Sequence, residues 1–149
     1  MKKLLALFLT FALALAFVPA AFAEGEVEAE DIVVLYTNDV HCSVAQAEKD
    51  GTATNMGYAG VAAYKADMKA ITANVALVDC GDAIQGDAIG TLSTGRYLID
   101  IMNKTGYDYA VYGNHEFDYG MDRLKELTTD ANFKYLSCNF MDIASDPAK

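Results

Sequence analysis

The chain has 149 residues, 53% of them hydrophobic and 21% charged. That is one domain's length with ample apolar content for a packed core, and it excludes a disordered chain or a coiled coil. Eleven Lys and Arg against 21 Asp and Glu give a formal charge of -10. No basic run compensates, so neither nucleic acid nor an anionic membrane surface is an expected partner.

The first 23 residues stand apart. Lys2 and Lys3 precede an apolar run from Leu4 to Val18 that only Thr10 interrupts, Pro19 follows, and Ala21-Phe22-Ala23 places small residues where a signal peptidase reads. Glu24, Glu26 and Glu28 then restore charge. The layout predicts a cleaved secretory signal peptide over 1–23, an exported protein (secreted, periplasmic or cell-surface) and no membrane association after cleavage. The remaining 126 residues (24–149) lose two Lys and no acid, which takes the charge to -12. Cys42, Cys80 and Cys138 form no CxxC pair, and their odd number leaves at least one thiol without an intramolecular partner. Small buried residues are expected at these positions in preference to a disulfide.

After the leader, strand and helix signals alternate. Ile32-Val33-Val34-Leu35-Tyr36 is a β-branched and apolar run suited to a strand buried on both faces. Residues 42–56 are polar and small, a loop. Val61, Tyr64, Met68 and Ile71 recur at steps of three and four and predict a helix over 57–73. Val75-Ala76-Leu77-Val78 reads as a second strand, followed by a Gly-rich loop over 80–90. Leu98, Ile101 and Met102 mark a helix ended by Gly106, and Tyr109-Ala110-Val111-Tyr112 a third strand. Met121, Leu124, Leu127 and Ala131 stripe a last helix before a strand starting at Tyr135. The order β-α-β-α-β-α-β predicts an α/β fold with one parallel sheet.

Polar chemistry gathers just past three of these strands, in Thr37-Asn38-Asp39-Val40-His41, Asp79-Cys80-Gly81-Asp82 and Gly113-Asn114-His115-Glu116-Phe117-Asp118. The carboxyl edge of a parallel sheet is where such folds place ligand sites, and both histidines of the chain lie there. Oxygen donors from Asp and Asn, with nitrogen from neutral His, suit a borderline divalent metal such as zinc or manganese. Asp39 and His41, two apart, would face the same way in an extended segment. Asp82 arrives on a glycine turn and has two oxygens, enough to bridge two ions, while Asn114 offers a neutral carbonyl oxygen. Asn38, Asp79 and Glu116 read as turn-forming or ligand-supporting groups.

These three stretches, extended through Ala83-Ile84-Gln85-Gly86 and Tyr119-Gly120, resemble the secreted 5'-nucleotidases of the calcineurin-like metallophosphoesterases. Gly57-Tyr58-Ala59-Gly60 and Ser137-Cys138-Asn139-Phe140 add to the likeness, while Cys42 and Cys80 depart from it at positions that are not ligands. The resemblance implies that residues 24–149 form the N-terminal portion of a metallophosphoesterase domain, the parallel-sheet half of a four-layer α/β/β/α sandwich. It implies two divalent ions: Asp39 and His41 on the first, Asp82 bridging, Asn114 on the second. His115 would stand beside the phosphate and stabilise the transition state or donate a proton, with Asp118 orienting it and raising its pKa. The reaction implied is attack of a metal-activated water on a nucleotide or nucleotide-sugar phosphoester. The family's later ligand histidines and its nucleobase-stacking domain have no counterpart in this sequence, so the chain is expected to be a fragment with little or no activity. A non-catalytic metal- or partner-binding exported protein is the alternative, and thiosulfohydrolase-type chemistry a further one.

Overall fold

A computed structural model describes residues 25–140. Among the described residues, six strands and four α-helices follow one another as β1 (Val33–Thr37), β2 (Ala47–Lys49), β3 (Thr52–Asn55), α1 (Gly57–Ile71), β4 (Val75–Asp79), α2 (Ala88–Ser93), α3 (Arg96–Thr105), β5 (Tyr109–Val111), a 3-10 turn (His115–Phe117), α4 (Met121–Asp130) and β6 (Lys134–Leu136). β1, β4, β5 and β6 form one sheet in that order, every neighbouring pair parallel. The predicted α/β fold is therefore present, with all four expected strands in one sheet.

Alternation along the strands decides which face meets the helices. Leu77, Asp79 and Ala110 point into the core, where they join Tyr58 of α1, Leu98, Ile99 and Met102 of α3, Leu127 of α4, and Ile84, Tyr107 and Phe133 from connections. The intervening residues Val34, Tyr36, Tyr109 and Leu136 are exposed. The helices thus cover one face and leave the other open, so β1 is not buried on both faces as its apolar run predicts.

Four further details depart from the sequence reading. Residues 47–55 form an antiparallel hairpin within the expected loop, turned at Asp50 and Gly51, both at positive φ. That pair of left-handed residues closes a two-residue hairpin, but its strands are polar and exposed, so no hydrophobic alternation announces them. A short helix, α2, replaces the end of the expected Gly-rich loop. On α1, Tyr64 and Ile71 of the predicted apolar stripe are exposed, and the buried positions are Tyr58 and Lys65. The thiols are all free, but only Cys42 is buried; Cys80 and Cys138 are exposed. The expected signal segment lies outside the described residues, and among the described residues no helix is long and apolar enough to cross a membrane.

Candidate metal centre

Two loops leave the adjacent strands β1 and β4 and stay paired. Beyond the Thr37–Asp79 register pair, Cys80 N–H donates to the Thr37 carbonyl, Asp39 N–H to Gly81, His41 N–H to Asp82 and Cys42 N–H to Ala83. The backbone ladder thus runs past the strand ends and carries Asp39, His41 and Asp82 side by side. Gly86 completes the wrap, since a Cβ there would overlap the His41 carbonyl. The third loop leaves β5, the other neighbour of β4, and brings Asn114 and His115.

The segment holding Asp39 and His41 is not extended. Asp39, His41 and Cys42 all take positive φ, a left-handed conformation uncommon outside glycine, where steric cost concentrates at functional sites. The two side chains still meet, with His41 Nε2 3.8 Å from Asp39 Oδ1, though by a coiled path in place of the predicted alternation. The Asn38 amide donates to the other oxygen of Asp39.

His41 Nδ1 lies 3.0 Å from the Gln85 carbonyl oxygen. A carbonyl only accepts, so Nδ1 carries the proton and Nε2 keeps its lone pair for a ligand. One oxygen of Asp82 accepts the His115 backbone N–H at 2.8 Å. The rings of His41 and His115 meet edge to face with centroids 5.0 Å apart. Donor atoms of His41, Asp82 and His115 all lie within 4.8 Å of one another. Asn114 is exposed and opens the 3-10 turn without using its side chain as a cap. Among the predicted site residues, donor atoms of His41, Asp82 and His115 gather within 4.8 Å, Asp39 joins through His41, and Asn114 is the exposed residue that precedes His115.

Asp118 contacts His115 directly. Its Oδ2 is 2.7 Å from His115 Nδ1, across the 3-10 turn that separates them by three residues. That hydrogen bond, reinforced by the charges of Asp118, Asp82 and Glu116, raises the imidazole pKa above its ordinary value despite partial desolvation.

Residues 32–147 match the family of calcineurin-like phosphoesterases. The chain belongs to that family. It is similar to the snake venom 5'-nucleotidase of Gloydius brevicauda, 40% identical over 115 residues that make up 73% of this chain and 20% of that protein. It is also similar to the 2',3'-cyclic-nucleotide 2'-phosphodiesterase/3'-nucleotidase of Yersinia enterocolitica, 29% identical over 145 residues, 91% of this chain and 22% of that one. Among solved structures, the 5'-nucleotidase precursor of Thermus thermophilus superposes with a TM-score of 0.67 at 29% identity, over 78% of this chain and 23% of that chain. The chain spans about a fifth of the length of the curated relatives it matches.

Calcineurin-like phosphoesterases are metal-dependent, and the donor chemistry of this site fits a divalent cation. His41 is held in the tautomer a metal requires, and Asp82 adds charged oxygen beside it. The loops contain one further group that sequence reasoning missed, Gln85, and one that it read as turn-forming or ligand-supporting, Asp79. Gln85 acts through its backbone carbonyl, so no side-chain signal could mark it. Asp79 accepts from Thr37 Oγ1 at 2.7 Å and from Gly81 N–H at 2.9 Å, and Thr37 Oγ1 lies 2.9 Å from the Tyr107 hydroxyl. Burial raises the Asp79 carboxyl to about 6 against the lowering effect of those two bonds.

Proposed function

We propose that this chain carries the metal-binding rim of an exported hydrolase that releases phosphate from nucleotides or nucleotide sugars. The reading rests above all on the convergence of His41, Asp82 and His115 within 4.8 Å at the carboxyl edge of a parallel sheet. In it, Asp39 and His41 would hold one divalent ion, Asp82 would be shared with a second, and Asn114 would serve the second through its amide oxygen. Bound divalent cations supply positive charge for the phosphoryl oxygens and lower the pKa of coordinated water.

His115 is left to the phosphate. Its Nδ1 is engaged by Asp118, so Nε2 is the face that can donate a hydrogen bond or a proton toward a phosphoryl or leaving oxygen. The hydrogen bond to Asp118 raises the imidazole pKa and so favours the protonated form. In a strongly acidic protein, bound cations would invert the local sign and attract the phosphate. Four side-chain ligands shared by two ions fall short of two full coordination shells, so the 24–149 polypeptide by itself holds its second ion weakly and turns over slowly.

The test is a titration of the purified 24–149 polypeptide with Mn2+ or Zn2+, with AMP, UDP-glucose and a 2',3'-cyclic nucleotide assayed side by side. The expected result is metal binding lost in Asp82→Asn, with slow, chelator-sensitive phosphate release lost in His115→Ala. Absence of metal binding, or chelator-resistant release, overturns the reading. Turnover near the enzyme median of about 10 per second overturns the expectation of a weak second ion. Metal binding without release from any substrate favours the alternative, a metal- or partner-binding protein.

A further inference from the structure

We propose that Glu116 is a positioning residue that sets the separation of the two loops carrying Asp82 and Asn114. Its side chain is buried, with 1% of its surface exposed, and both carboxylate oxygens are spent on backbone. Oε2 accepts the N–H of Asp82 at 2.8 Å and that of Gly113 at 2.7 Å, and Oε1 accepts the N–H of Ala83 at 2.9 Å. Two of these donors belong to the loop after β4 and the third to the loop after β5. One carboxylate therefore ties together segments more than 30 residues apart in sequence.

The bonded atoms sit where position matters to a metal. One donor is the backbone of Asp82, and another, Gly113, immediately precedes Asn114. Asp82 returns the link by accepting the His115 N–H. The loops also touch directly. A Cβ on Gly81 would stand 2.5 Å from Gly113 N, and one on Gly113 would overlap the Asp82 carboxylate. Glycine at both positions lets the backbones close, and Glu116 fixes them once closed. Three charge-assisted N–H bonds to one buried carboxylate are strong and directional, which suits a spacer that must hold to a fraction of an ångström.

The inference rests on the metal-centre reading above, and Co2+ binding by the whole chain separates the two. Glu116→Gln keeps size and shape but offers one acceptor where two are needed, so an amide N–H2 meets the Ala83 N–H. The expected result is a far-UV circular dichroism spectrum like that of the parent, Co2+ affinity reduced about tenfold to a hundredfold, and an altered visible absorption band. Parent-like Co2+ affinity and absorption in Glu116→Gln overturn the positioning role and leave the metal centre standing. If the unaltered chain takes up no Co2+, the metal-centre reading fails and the positioning role with it. Should Glu116→Gln not fold, amide exchange in the unaltered chain decides. The Asp82, Ala83 and Gly113 amides are expected to exchange slowly and to slow further with Zn2+, and exchange indifferent to Zn2+ overturns the role.

Discussion

Asp79 sits directly beneath the proposed metal rim, 1% exposed, with its carboxyl raised from 3.8 to about 6 by burial. A folded-state pKa above the unfolded one means the fold prefers the protonated acid. Asp79 therefore contributes most to stability below about pH 4, and that contribution is lost as the pH climbs through 6. At pH 8 the buried carboxylate costs on the order of 3 kcal/mol relative to the acid form. Asn at this position can accept from Gly81 N–H and donate to Thr37 Oγ1, whose own proton can turn to the Tyr107 hydroxyl. Asp79→Asn in chelator is thus expected to gain about 1–3 kcal/mol at pH 8 and little at pH 4, by urea denaturation. An equal difference at the two pH values would contradict this account. Residue chemistry at the rim was largely legible from residue types alone, because few side chains bind metals and they cluster after strands. What the sequence concealed was conformation: nothing in the residue types signals the left-handed backbone that Asp39, His41 and Cys42 adopt.

Helix α1 shows how an element can be placed correctly and turned wrongly. Its span was readable from apolar recurrence, but the periodicity could not show that β1 lies at the sheet edge, where Tyr64 and Ile71 find no cover. The buried side carries Lys65 instead. Its Nζ donates to the Gly106 carbonyl and pairs with Asp108 Oδ2 at 2.6 Å, and that same oxygen accepts the Leu77 N–H at 2.8 Å. Burial pushes the Asp108 carboxyl up, but the bonds from Lys65 and Leu77 more than reverse it, leaving the pKa below its ordinary value. A single lysine thus locks α1 to the turn between α3 and β5. Lys65→Ala is expected to cost about 1–3 kcal/mol, below the full loss for a deeply buried pair because Asp108 is partly exposed, and Lys65→Met, which keeps the apolar stem, somewhat less. Urea midpoints of the two variants check the order, and a Met variant less stable than Ala would contradict it. The hairpin β2–β3 escaped notice because a polar, solvated ribbon lacks the alternation on which strand assignment relies.

At the scale of the molecule, the parallel sheet is covered on one side only. Parallel sheets ordinarily bury both faces, yet here Val34, Tyr36, Tyr109 and Leu136 are 58%, 72%, 42% and 49% exposed on the face away from the helices. An apolar surface of this extent is sticky in water. The 25–140 polypeptide is therefore expected to bind a hydrophobic fluorescent dye and to self-associate, and a Val34→Lys/Leu136→Lys pair to abolish both while shifting the thermal midpoint little. A monomeric parent chain that leaves the dye dark would refute this.

The alignment of β1 on β4, which matches Thr37 with Asp79, also has a bearing on assembly. Sliding one strand past the other by a single position displaces its loop by about 3.3 Å, whereas coordination bonds tolerate roughly 0.2 Å. A cation caught between Asp39, His41 and Asp82 would thus discriminate against misaligned chains, proofreading the sheet from its rim before any substrate arrives.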